Sequence, residues 1–402
     1  MRSVPATSPT APLQPADRRW PDFLIYAGFA LNGVATTILG PTLQWLKERW
    51  NLNDAQAAYV WVQYLGQLVG TIASDRVVAR VGAKRCLAFG AALMGIGIAG
   101  LSAANWHLGL LFLFVNGLGI GLATPTTNLL VSHRHPQRRA AALSFVNLIW
   151  GIGAVVCPFV SGFFLHRGEG LRFLYIVSAS MFLLMVLFLT LRETIATGGE
   201  EAHGAKVTVP LSTWCLFAAA LFVYVGTETS VGGWSTVYTH RMDFSGNLSS
   251  VMPSFYWAGL LTGRALAPFI LRYVSEFKVA VSGLVLGGAG VISLILARGI
   301  PSAIVSVVLA GLGFAAVFPI VVGWMTHRFG PTGNRLAGWA FVSASLGGAM
   351  LPWLLGQIAN RAADMRVGYG VPLAGVIILL LLVPRASRLE ASRLGPTSPG
   401  VP

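Results

Sequence analysis

Glu228 is the one acidic residue that sits well inside any of the apolar stretches filling most of this 402-residue chain. A carboxylate at membrane depth is costly to hold, so in a chain that crosses a bilayer repeatedly it marks a substrate or ion pathway. Tyr224 lies one helical turn before it, and Trp234, Ser235 and Tyr238 follow in the same stretch, Ser235 and Tyr238 on roughly the same face. Gly226 and the Gly232-Gly233 pair flank it, and such glycines loosen a helix so that a cavity can reach the charge. Uncharged amides form a second set. Gln63 and Gln67 recur at i, i+4 with Tyr59 and Thr71, Asn116, Thr124 and Asn128 share another face, and Asn147 has Trp150 close by. An amide grips vicinal hydroxyls and an aromatic ring stacks on C–H faces, so the chemistry suits a polyhydroxylated ligand. The competing use of each amide is an interhelical hydrogen bond, worth about 0.6–2 kcal/mol. The substrate-binding set read from these patterns is Gln63, Gln67, Asn128, Asn147, Trp150, Tyr224, Glu228, Trp234 and Tyr238, with Glu228 also the ion-coupling residue.

The elements that must position these residues are apolar spans. The chain is 55% hydrophobic and 10% charged, with a mean hydropathy of +0.69, whereas soluble domains carry roughly a quarter charged residues. A spanning helix needs about 20 mainly apolar residues. Stretches that meet this lie at 21–46, 55–78, 85–104, 108–132, 139–166, 171–192, 210–240, 247–272, 278–298, 301–326, 335–361 and 367–386. The pattern predicts an all-α membrane protein of twelve transmembrane helices in two six-helix bundles. Its parts are a disordered tail (1–20), a bundle (21–192), an inter-bundle loop (193–209), a second bundle (210–386) and a tail (387–402).

Net charge +14 follows from topology. With both termini in the cytoplasm, nineteen of the 28 Lys and Arg residues face inward and eight outward, and Arg264 alone lies within a span. That asymmetry is the positive-inside pattern, so no nucleic-acid partner is needed to explain the basic chain. A multi-pass protein of a bacterial-type inner membrane is expected. The three cysteines, Cys86, Cys157 and Cys215, fall in spans with no framework spacing and read as small packing residues. Arg18-Arg19 before an apolar run has the look of an export signal, but the run is too long, lacks a cleavage site and is followed by eleven more spans. No metal cluster, nucleophile–base pair or phosphate loop is present, which argues against an enzyme.

The chain is one half written twice. Gly66 and Gly70 match Gly259 and Gly263, 193 residues on. Gly117-Leu118-Gly119 matches Gly311-Leu312-Gly313 at an offset of 194, where Pro125 meets Pro319, Gly153 meets Gly347, Pro158 meets Pro352 and Gly162 meets Gly356. An even number of spans per half inserts both halves the same way up, with substrate held near the midplane between them.

Together these residues resemble the major facilitator superfamily and, within it, the fucose–hexose–proton symporter branch. The most specific piece is Tyr224-Val-Gly-Thr-Glu228 running on to Trp234. It is supported by Gly117-Leu-Gly-x-Gly121 with Asn128, Gly311-Leu-Gly followed by Phe318-Pro319, and Leu346-Gly-Gly-Ala-Met-Leu-Pro352 followed by Gly356. The superfamily's loop motif, Gly-x-x-x-Asp-Arg-x-Gly-Arg-Arg, is here Asp75-Arg76-Val-Val-Ala79-Arg80-Val-Gly82-Ala-Lys84-Arg85. Arg80, Gly82, Lys84 and Arg85 match, while Asp75 replaces the leading Gly and Ala79 the usual Asp. The resemblance implies a gating loop of Asp75, Arg76, Arg80, Gly82 and Arg85. The branch's proton-carrying acids fall on Thr37 and Thr124, which cannot titrate, so coupling to H+ or Na+ falls to Glu228 or to neutral oxygens, or else the protein is a facilitator. Arg264 lies on the order of 10 Å nearer the cytoplasm than Glu228 by helical rise. It is therefore expected not to pair with Glu228 but to serve the inner gate beside Gly259 and Gly263. The implied function is alternating-access transport of a small polar solute, a sugar or polyol above all, by a monomer with no cofactor beyond a coupling ion. A drug or metabolite efflux antiporter is the alternative, from Gly153-Ala-Val-Val-Cys157-Pro158-x-x-Ser161-Gly162.

Overall fold

The computed structural model describes residues 15–102, 105–191, 209–242, 246–329 and 334–391. The first half contains α1 (Pro15–Thr37), α2 (Leu39–Trp50), α3 (Asp54–Ala57), α4 (Val62–Val81), α5 (Ala83–Gly100), α6 (Trp106–Arg134), α7 (Arg139–His166) and α8 (Gly170–Thr190). The second contains α9 (Leu211–His240), α10 (Gly246–Ile270), α11 (Glu276–Leu296), α12 (Ile300–Phe314), α13 (Val317–Phe329), α14 (Asn334–Ala362), α15 (Met365–Gly368) and α16 (Gly370–Ala391). Joining α1 to α2, α3 to α4, α12 to α13 and α15 to α16 gives the twelve crossings the sequence predicts. Residues 15–20, assigned to a tail, begin α1, where Pro15 occupies the tolerant first position of a helix. Residues 387–391 likewise extend α16. Most of the inter-bundle loop and the outer parts of both tails lie outside the described residues.

Nine described helices, or ten counting the bent pair α1–α2, are long and apolar enough to cross a membrane. The two remaining crossings, α4 and α10, are long enough but too polar. α4 carries Gln63, Gln67, Thr71 and Ser74 before Asp75, Arg76 and Arg80, and α10 carries Arg264. These two helices line the boundary between the bundles rather than lipid. Outward faces elsewhere expose large apolar side chains such as Leu183, Leu189, Ile377 and Leu381, as a lipid-facing surface requires.

Prolines set the breaks. Pro41 cannot donate to the carbonyl of Thr37 and its ring crowds that turn. The chain bends by 42° between α1 and α2, while Thr37 donates to Gly33 O (2.9 Å) and Thr42 to Ile38 O (2.6 Å). Pro319 stands in the same relation to Ala315, where α12 ends and α13 begins.

Paired glycines let backbones touch, and they do so twice. In the first bundle a Cβ on Gly66 would lie 2.1 Å from Phe114 O, and one on Gly117 1.9 Å from Gln63 O, so α4 and α6 cross in near contact. In the second, Gly259 meets Val308 O at 2.5 Å and Gly311 meets Tyr256 O at 2.2 Å, the same crossing of α10 on α12. Gly33 and Gly153 join α1 to α7 as Gly226 and Gly347 join α9 to α14. The internal repeat is therefore a repeat of helix crossings.

Both described chain ends, Pro15 and Ala391, lie at one face, here called proximal, and the turn after α2 lies at the opposite, distal face. Between described residues, the bonds that cross from bundle to bundle lie in the distal half. They are Arg241 to Asp54 (2.6 Å), Gln357 to Ala55 O (2.9 Å), Ser254 to Val155 O (2.8 Å), Thr229 to Tyr64 (3.3 Å) and the His240–Glu48 pair (3.6 Å). Aromatic pairs Tyr59–Trp353, Phe159–Phe255 and Trp150–Trp257 continue this seal toward mid-span. The residues expected to form a gating loop, Asp75, Arg76, Arg80 and Arg85, lie at the proximal end, are exposed and form no ion pair among the described residues. Gly82 turns the chain there with φ +84°. Among the described residues, the polar ties between the bundles thus gather on the distal side.

Candidate functional site

The centre is built on α9. Helical spacing puts Tyr224 one turn before Glu228, and its hydroxyl donates to Glu228 Oε1 at 3.2 Å while also reaching Phe314 O at 2.8 Å on α12. Arg264 of α10 donates through Nη2 to the same Oε1 at 3.3 Å. This direct pair corrects the expectation that the two residues are too far apart in depth. α9 and α10 run antiparallel, and every helical side chain leans toward its own N-terminus. Glu228 therefore leans proximally and Arg264 distally, which closes a gap that backbone rise alone leaves open. Glu228 is 12% exposed and Arg264 28%, so the pair is neither solvated nor fully dry. Arg264 Nε makes no hydrogen bond among the described residues.

A second polar group lies in the first bundle. Gln63 is fully buried and donates to Thr36 O (3.1 Å), and its carbonyl accepts from Asn116 (3.2 Å), which also donates to Ala35 O (3.2 Å). Gln63 thus knits α1, α4 and α6 together and has little capacity left for a ligand. Gln67 and Asn128 differ, since each keeps a side-chain oxygen with no partner among the described residues. The Thr229–Tyr64 bond sets the α4 turn bearing Gln67 beside the α9 turn bearing Glu228.

The other residues of the set are spread out. Asn147 is exposed and donates to Leu143 O of its own helix (2.8 Å). Trp150 packs edge-on against Trp257 across the bundle boundary, 5.7 Å between centroids. Trp234 is fully buried, its indole donating to Pro352 O at 2.9 Å. Tyr238 donates to Leu294 O (3.0 Å) and stacks against Tyr369, about 15 Å along α9 from Glu228. In this conformation Trp234 and Tyr238 hold helices together within the second bundle.

Three residues outside the substrate set join the site. Asn32 of α1 is buried and accepts from Thr124 of α6 at 3.5 Å. Tyr64 bridges the bundles, and Tyr256 keeps its buried hydroxyl without a partner among the described residues. Asn32 lay four residues before Thr36 on the face that Gln63 meets, a spacing that could have flagged it.

A family model described as Major Facilitator Superfamily matches residues 25–352. The chain belongs to this superfamily. Among curated proteins it is similar to the glucose/mannose transporter of Bacillus subtilis (strain 168), 23% identical over 84% of this chain and 87% of that one. It is also similar to the glucose/galactose transporter of Brucella abortus (strain 2308), at 24% over 86% and 89%. Among solved structures, a D-xylose–proton symporter superposes with a TM-score of 0.75 over 90% of this chain and 96% of that one, at 14% identity, which shows the shared fold. As a member of the superfamily the protein is a transporter of a small solute.

Proposed function

We propose that the protein carries a hexose or similar polyhydroxylated solute across a bacterial inner membrane by alternating access, with Glu228 coupling the movement to a proton. One observation supports this above the rest: Glu228 shares a single oxygen between Tyr224 and Arg264, beside the Thr229–Tyr64 bond that joins the two bundles. A carboxylate so placed can take a proton or a ligand hydroxyl without leaving the pair. The unpartnered oxygens of Gln67 and Asn128 supply the neutral acceptors a sugar needs. The excess of Lys and Arg on the side of the termini supports both termini, and with them the proximal face, lying in the cytoplasm. The relatives named for glucose, mannose and galactose support the same substrate class.

The test is uptake of labelled hexoses into cells lacking their own hexose carriers, with Glu228→Gln alongside. The wild-type protein accumulates sugar against a gradient. The variant exchanges it but does not concentrate it. Accumulation by the variant equal to wild type removes coupling from Glu228, and stimulation by sodium instead of acid moves it to Na+. Export of amphipathic cations with no hexose uptake replaces the sugar reading with efflux.

A further inference from the structure

We propose that Asp54 is a positioning residue for the transport cycle. It latches the distal face by pairing with Arg241 of the other bundle, while Lys47 keeps its charge balanced when the latch opens. Asp54 opens α3, just after the Asn53 cap, and is only 3% exposed. One carboxylate oxygen accepts from Lys47 of α2, in its own bundle, and the other from Arg241, just past the end of α9, at 2.6 Å. The two partners are unequal. Lys47 is 9% exposed and moves with Asp54, whereas Arg241 is 39% exposed and moves with the opposite bundle.

That inequality decides which bond breaks. A buried carboxylate stripped of every partner is severely penalised, while a charge at a wet surface loses little when its partner leaves. When the bundles part distally, Asp54 retains Lys47 and Arg241 passes into water, so no buried charge is left alone. Arg241 lines a distal recess of about 950 Å³ whose wall also holds Arg298, Arg366 and Asp364. With two further guanidinium groups in that wall, the freed Arg241 is drawn back to Asp54, which makes the latch reversible rather than permanent. The flanking His240–Glu48 pair crosses the same boundary but is largely exposed, 38% and 58%, and adds little.

The arrangement gives substitutions of opposite sign. Arg241→Gln removes the bond across the boundary and favours distal opening. Asp54→Asn does so more strongly, because Lys47 and Arg241 are left facing each other unbalanced. Lys47→Met works the other way, since Arg241 becomes the only counter-ion and opening strands Asp54. The experiment is an electron–electron double-resonance measurement between spin labels at His166→Cys and Ala362→Cys, exposed positions at the distal ends of the two bundles, with the exposed Cys215 replaced by Ser. It needs no substrate, so its outcome is independent of whether the solute is a sugar. The long-distance population is expected to rise about fivefold in Arg241→Gln, further in Asp54→Asn, to fall in Lys47→Met, and to return to wild type in Asp54→Glu. Movement of all three in one direction, or no movement in Arg241→Gln and Lys47→Met, overturns the proposal, and those two variants decide it even if Asp54→Asn does not fold.

Discussion

The two halves share their helix crossings but not their polar chemistry. Carried back through the 193-residue offset that superposes Gly259 on Gly66, Glu228 falls on Ala35, Arg264 on Thr71 and Tyr224 on Leu31. In the forward direction, Gln63 falls on Tyr256 and Gln67 on Leu260, while the offset of 194 takes Asn116 to Ala310 and Asn128 to Val322. One bundle contributes neutral amides and the other a charged pair, on backbones whose glycine contacts correspond almost one for one. The repeat keeps what lets helices touch, and the candidate site sits where the halves differ. A neutral wall can bind hydroxyls in both orientations of the carrier, whereas a charge pair can register whether a proton or ligand is present.

The sharpest way to break this contrast is to remove the charge from one side. Arg264→Ala leaves Glu228 without its cation in a largely dry site and should lower unfolding stability by about 2–4 kcal/mol, read as a loss of thermal stability in detergent and near-complete loss of uptake. Thr71→Ala, at the equivalent place in the first bundle, should change neither. Equal losses in the two variants erase the distinction between the halves.

The glycine crossings should respond alike, because there the halves are the same. Gly117→Ala and Gly311→Ala place a methyl carbon 1.9 and 2.2 Å from facing carbonyl oxygens, and each should cost about 1–3 kcal/mol through overpacking. A large gap between their melting temperatures would mean that one crossing relaxes where the other cannot.

Within the amide wall, bonded and unbonded amides should separate. Gln63→Leu breaks the bonds to Thr36 and Asn116 and should cost about 0.6–2 kcal/mol of stability, with substrate affinity little changed. Gln67→Ala should do the reverse, raising KM for uptake while the melting temperature stays put. Trp234→Phe loses the bond to Pro352 O and trims a fully buried indole, about 1–3 kcal/mol, and its cost should fall on stability and not on substrate affinity. An effect of Trp234→Phe on substrate affinity larger than that of Gln67→Ala would restore the tryptophan to the binding site.

Much of this was legible in the sequence. Twelve crossings and their pairing into halves follow from hydropathy and glycine spacing, and the rarity of buried acids singles out Glu228 as the candidate. The Glu228–Arg264 bond was not legible from rise per residue, because depth along a helix axis omits the lean of a long side chain and the opposed directions of α9 and α10. Nor could periodicity distinguish Gln63, which spends its amide on neighbouring helices, from Gln67, one turn on, which does not. Spacing fixes which face a residue occupies, and only the packed neighbour decides what that face meets. Trp234 and Tyr238 were placed by the same reasoning and are held by carbonyls of other helices in their own bundle. Asp54 and Lys47 escaped notice because seven residues and a helix break separate them, and their common partner Arg241 lies 187 positions away from Asp54.

The distal seal is fitted to hydrogen atoms. Gly233 lies flat beneath the Trp61 ring, where a Cβ would come within 2.0 Å of Cη2, and Gly356 takes the Ala58 methyl, where a Cβ would come within 2.7 Å. A single methyl at either place acts as a doorstop, wedging the carrier ajar on its distal side without altering any charge or ligand group. Such a variant offers a way to hold the opposite conformation still, and the thin margin at this seam makes shutting, more than opening, the stroke most easily jammed.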